Sequence, residues 1–201
     1  MGDASRLLEV ERQLERSFAA DEAALGHGAR GSMPSVMLFH FAHWRERLRD
    51  ALVAFEAGSR YAQPHDIDDM PAADGEGLGD AAARSDSVLG EMIELSARLG
   101  GRYFQWPLTR TCGDAIMRNS YFQPRVHLAA YWHENGEGRR AQQLVENTAR
   151  ELRELWPAPI ILGAGLYNLA TLRVAQGRYD DALDLLDEVL PMRPGIRTWR
   201  R

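Results

Sequence analysis

Six histidines, His27, His40, His43, His65, His127 and His133, are the side chains most able to do chemistry near neutral pH, because imidazole titrates there and binds metals readily. Their spacing sorts them. His40 and Trp44 are four residues apart, and His127 and Tyr131 repeat that interval, so each pair shares one face of a helix. His43 follows His40 by three residues and can face the same groove. His133 lies about 120° around the helix from His127, too far round for one metal. Histidines converging from two helices inside a bundle make a metal site or a set of acid–base groups. His40 and His127 are the expected pair, with His43, Tyr131 or a loop carboxylate as the third donor. A histidine that only hydrogen-bonds within a core is the plainer alternative.

Other reactive residue types carry less. Cys112 has no histidine linked to it in sequence and reads as an inert thiol rather than a nucleophile. Asp66, Asp68 and Asp69 lack the spacing of a calcium loop and read as a solvated turn. Gly75-Glu76-Gly77-Leu78-Gly79 has no strand before it and no phosphate-loop spacing. Arg197, Trp199, Arg200 and Arg201 make a small basic, aromatic tail that reads as a frayed terminus. Phe41, Trp44, Phe104, Trp106, Tyr121, Tyr131 and Trp132 are expected mostly in the core, with a subset available to line a small-molecule pocket beside His40 and His127.

The elements that must position these residues are helices. Leu7, Leu8, Leu14 and Phe18 fall near one face of a first helix, with Arg and Glu around its other side. After a glycine-rich break, Ser32 can cap a second helix running to about Ala57, with Pro34 harmless in its first turn. Its apolar face holds Val36, Met37, Phe41, Trp44, Leu48, Leu52 and Phe55. Residues 58–79 form a long acidic loop, and a third helix spans about 80–99 with Val88, Met92, Leu95 and Leu99 as its stripe. Residues 102–123 give a weak signal, with a short helix near 113–118. The best strand-like segment is Pro159-Ile160-Ile161-Leu162, and it is short.

From residue 124 the chain repeats itself. Leu128, Ala129, Gly136, Ala141 and Leu144 recur without a gap 41 residues later as Leu169, Ala170, Gly177, Ala182 and Leu185. Each copy reads as helix–turn–helix, the glycine permitting the turn and the alanine a close helix approach.

Composition narrows the function. All 24 basic residues are arginine, which excludes Schiff-base lysines, pyridoxal-phosphate attachment and the P-loop lysine. Arginine without lysine, beside abundant alanine and glycine, suggests a GC-rich bacterial genome. A net charge of −5 argues against nucleic-acid binding. No apolar run approaches the roughly 20 residues of a membrane span, and no signal-peptide pattern opens the sequence. A single cysteine fits a reducing cytoplasm.

The run Gly31-Ser32-Met33-Pro34-Ser35-Val36-Met37-Leu38-Phe39-His40-Phe41-Ala42-His43-Trp44-Arg45 resembles the second-helix motif of the DinB-like four-helix bundles, closest to the ClbS/DfsB branch with its His-x-x-x-Trp. Asp66-Ile67-Asp68-Asp69 and the stretch from Asn119 to Ala129 are similar to later parts of that branch, and residues 163–199 resemble a tetratricopeptide repeat. The resemblance implies a divalent metal such as zinc, nickel or manganese held by histidines of the second and fourth helices. It also implies thiol transfer, isomerisation or a hydrolysis that protects the cell from its own genotoxin. His40 and His127 match family histidines, whereas Tyr131 and Gln123 stand where others are expected.

The expectation is therefore an all-α chain: a DinB-like four-helix bundle over 1–156 and a tetratricopeptide-like hairpin over 157–201. Its expected function is a cytoplasmic small-molecule hydrolase or transferase with His40, His127 and Tyr131 as catalytic residues, His40, His127 and His43 as metal ligands, and loop 58–79 as a lid. The alternative is a non-catalytic interaction module whose C-terminal repeat binds a peptide or a second copy of the chain.

Overall fold

Apolar residues recurring every three or four positions make helices, and the computed structural model, which describes residues 3–62 and 75–192, is built almost wholly of them. Helix α1 (Ala4–Ala24) starts where the Asp3 side chain accepts a hydrogen bond from the Arg6 amide at 3.0 Å. Helix α2 (Met33–Glu56) starts at Ser32 as expected. The Ser32 hydroxyl does not cap it, however, and donates instead to the His27 carbonyl at 2.7 Å, fixing the preceding turn. Helix α3 (Leu78–Leu99) buries its whole expected stripe, Val88, Met92, Leu95 and Leu99. It packs against both α1 and α2 and so forms the middle of the first unit.

Residues 102–123 differ from expectation. Tyr103–Trp106 (β1) and Thr109–Thr111 (β2) pair antiparallel, with Tyr103 opposite Thr111. Leu108 turns the chain at a φ of 65° in place of the glycine or asparagine that would mark a hairpin. Helix α4 (Cys112–Met117) follows, started by the Thr111 hydroxyl, which accepts from the Asp114 amide at 3.0 Å. Arg118–Phe122 is then a π-helical turn, and α5 (Gln123–Glu134) continues from it. The helix expected as the fourth is thus α5.

Helices α6 (Gly138–Leu155), α7 (Pro159–Ala175) and α8 (Tyr179–Val189) and a 3-10 turn (Leu190–Met192) complete the described chain. The strand-like segment Pro159-Ile160-Ile161-Leu162 is the first turn of α7. Proline is pre-shaped for that position, and the apolar run continues with helical spacing. The repeat is visible as two hairpins, α5–α6 and α7–α8, with Gly136 and Gly177 at φ of 83° and 73° in equivalent turns. Leu128 and Leu169, Ala141 and Ala182, and Leu144 and Leu185 are all buried, so equivalent residues do equivalent packing.

The chain divides into two compact units at Pro124/Arg125, whereas the sequence reading places a boundary near 157. Asp3–Pro124 form one, and the described residues from Arg125 onward form the other. The physical reason for the earlier division is that α6 packs on α7, which ties the first hairpin to the second. No described helix is long and apolar enough to cross a membrane.

Candidate functional site

Helix α2 carries two of the expected site residues, and the structure gives them different surroundings. His43 stacks on Phe39, one turn earlier, with ring centroids 6.3 Å apart, and meets Trp44 edge-on at 5.9 Å. Phe39 in turn lies under the guanidinium of Arg84 at 4.9 Å, and Arg84 grips Glu46 at 2.6 and 2.7 Å and Glu76 at 2.8 Å. The paired guanidinium, and more weakly His43, hold the Glu46 carboxyl below its ordinary range. His43 therefore belongs to a cluster that fastens α2 to α3. His40 is half-buried and meets Phe41 edge-on at 6.2 Å.

Beneath this face lies a polar network that sequence spacing did not indicate. Arg45 is fully buried and donates to Glu15 at 2.9 Å through Nη1 and again through Nη2, and to the Ser85 hydroxyl at 2.7 Å. Ser85 donates to Glu15 at 2.8 Å, and Arg45 Nη2 reaches the Ser120 carbonyl at 3.2 Å. α1 was read as apolar on one side and charged on the other, yet Glu11, Glu15 and Glu22 are all buried. The signal available was Arg45, a cation in the middle of an apolar helical stripe, which demands a buried partner. A cavity of about 20 Å³ between α1 and α3, lined by Arg12, Glu15, Leu38, Asp86 and Leu89, has room for a water rather than an organic ligand.

The Ser120 carbonyl belongs to the π-helical turn, which packs on α2. Single π-turns sit disproportionately at functional sites, because the extra residue breaks the regular ladder and re-aims side chains. Here the turn presents Arg118. Burial pulls its guanidinium below the ordinary arginine value, and its one polar contact among the described residues is the Asn119 side chain at 3.3 Å. Among the described residues Arg118 has no carboxylate partner, in contrast to Arg12, Arg45, Arg84 and Arg125. Buried beside it are Asn119 and Ser120, and the Ser120 hydroxyl makes no hydrogen bond within the described residues.

On α5, His127 and Tyr131 lie one turn apart as expected; His127 is half-buried and Tyr131 buried. Burial depresses the His127 pKa below the ordinary histidine value, so its imidazole is neutral at pH 7. In the same unit Arg125 donates to Glu151 at 2.8 Å, and Arg140 lies 4.0 Å above the Trp132 ring. His27 is exposed and pairs with buried Glu22 at 2.7 Å, and His133 is exposed. Cys112 is fully buried, and desolvation pushes its thiol up to about 11, as suits an inert cysteine.

Of the aromatic set, Phe41, Phe104, Trp106, Tyr121, Tyr131 and Trp132 are buried and Trp44 is half-exposed. His65, Asp66, Asp68, Asp69 and most of the expected lid lie outside the described residues, as does the basic tail. Among the described residues no three His, Cys, Asp or Glu side chains are gathered in a group that could hold a metal ion. Compared with known proteins, the chain matches no family model, no curated protein and no solved structure.

Proposed function

We propose that this chain acts on a small electrophilic molecule bearing an anionic or carbonyl oxygen, at the face of α2 on which the π-helical turn packs. The observation that carries the reading is Arg118, a half-buried guanidinium whose desolvation nothing in the described chain offsets with a carboxylate. A substrate oxygen would supply the missing partner, and a guanidinium holds such an oxygen with two donors. His40, half-buried on α2, would move the proton. A proton taken from the attacking water or thiol would pass to that same imidazole, acting as general base.

The reaction class is hydrolysis or thiol transfer, as the resemblance to the DinB-like bundles and their ClbS/DfsB branch implies, with self-resistance as the corresponding role. The reading takes a metal-free, acid–base form. It is tested with a panel of epoxides, activated esters and cyclopropyl ketones, each with and without a low-molecular-weight thiol. His40→Ala and Arg118→Leu are expected to lower turnover at least about 100-fold while helical circular dichroism is kept. Full activity in both variants would sink it.

A second reading, that Arg125–Arg201 is a tetratricopeptide-like binding module, is favoured by the matched burial of the two hairpins.

A further inference from the structure

The internal repeat indicates what one of its own exposed faces is for. Helix α7 packs on α6 through a ridge that the structure identifies atom by atom. Arg173 donates to Glu146 at 2.6 Å, and Gln176 to Gln142 at 3.3 Å. A Cβ on Gly165 would come within 3.9 Å of the Ala149 backbone. Moving 41 residues along the repeat turns Gln142, Glu146 and Ala149 into Leu183, Asp187 and Leu190. The face of α6 that receives a helix thus has an equivalent on α8, and no helix of the described residues covers it. Leu183 is 61% exposed, Leu190 43% and Tyr179 63%.

The open face has a definite chemistry. At about 100° per residue, Tyr179, Leu183, Leu186 and Leu190 fall within about 60° of one another, a continuous apolar stripe along α8. Ala182, Leu185 and Val189, on the neighbouring face, are already buried. Along the other edge run Asp180, Asp184 and Asp187, and among the described residues none of the three forms an ion pair, whereas Asp181 is held by Arg178 and Glu188 by Arg153. The matching acid on α6, Glu146, is neutralised by an arginine of the helix it receives.

We infer that the Tyr179–Leu190 stripe of α8 is a docking face for one helix of a partner protein, apolar on the side it buries and bearing arginine or lysine along one edge. The inference deepens the binding-module reading and rests on it; it is independent of the small-molecule site. A second copy packing α8 against α8 would set carboxylate against carboxylate, so charge selects a basic partner. The stripe supplies contact area, and the Asp edge supplies orientation and register.

The test uses the full chain and two fluorescein-labelled synthetic helices of leucine and alanine, one edged with arginine and its twin with glutamate, followed by fluorescence anisotropy. The arginine-edged helix is expected to bind at least about tenfold more tightly than its twin. Leu183→Glu, a fully tolerable surface change, is expected to weaken it by at least about tenfold. Asp184→Arg with Asp187→Arg is expected to invert the preference between the two helices. Equal affinity for the twins, or no binding of either, overturns the inference. Tight, charge-selective binding that survives Leu183→Glu leaves the module standing and removes this face from it. Self-association of the unliganded chain that Leu183→Glu abolishes assigns the face to a second copy and overturns the partner.

Discussion

Replacing Glu15 by alanine tests how the first unit is held together. In the native chain Arg45 is wholly buried and, among the described residues, its charge is paired with Glu15, with Ser85 and the Ser120 carbonyl taking further hydrogen bonds. Without Glu15 the guanidinium keeps two neutral acceptors and loses its counter-charge while remaining buried. Breaking a buried pair in this way costs about 3–5 kcal/mol, because the surviving ion remains desolvated. Removing both charges is different in kind: Glu15→Leu with Arg45→Met replaces the pair by apolar side chains of similar length, a change that ranges from neutral to stabilising by about 1–4 kcal/mol in other buried pairs. The assay is urea unfolding of the single and double variants at pH 7, read by far-ultraviolet circular dichroism. Glu15→Ala is expected to lose at least about 3 kcal/mol and the double variant to recover most of it. A Glu15→Ala loss below about 1 kcal/mol, the size of an exposed pair, would refute the reasoning.

Two further outcomes follow from burial. His127 is depressed in the folded chain, so folding holds it neutral, and a protonation penalty begins as pH falls below the ordinary value of about 6.5 and grows until the folded pKa is passed. Stability at pH 7 and above is untouched by it; a proton NMR titration is expected to give a His127 midpoint below 6.5, and His127→Gln to flatten the stability loss on the acid side, whereas a midpoint at or above 6.5 contradicts the assignment. Cys112, with its thiol pushed up to about 11, is expected to stay unmodified by a thiol-reactive disulfide at pH 8 until denaturant is added; rapid labelling of the native chain would contradict its burial.

Much of the architecture was legible because long helices announce themselves by spacing. The α3 stripe, the extent of α2 and the pairing of Gly136 with Gly177 all follow from periodicities of three to four residues and of 41. What escaped had a local reason each time. The β1–β2 hairpin turns on Leu108, a residue with no turn signature, and its strands are too short for alternation to show. Pro159-Ile160-Ile161-Leu162 looks extended by composition, yet proline at a helix start and the leucines beyond it decide for α7. The buried Glu15–Arg45 pair is invisible along either helix alone, since each residue's partner is 30 positions away.

The candidate site was partly legible. His40, His43, His127 and Tyr131 stand out because imidazole and phenol differ from their neighbours by type, and each pair lies on one helix as its spacing requires. The two α2 histidines then parted by environment: Phe39, Arg84 and Glu46 tie His43 into packing, which spacing alone does not reveal. Arg118 escaped for the opposite reason. One arginine among 24 carries no signal until the structure shows that, among the described residues, this one lacks the carboxylate its buried counterparts have. A π-turn has no sequence signature of its own, so Asn119 and Ser120 went unmarked with it.

The most direct test is turnover of the electrophile panel by the native chain, His40→Ala and Arg118→Leu at pH 7, with helical content checked in each. The account predicts that at least one class of compound is turned over and that both substitutions lower the rate at least about 100-fold while the fold is kept. No turnover in any class, or native rates in both variants, would contradict it.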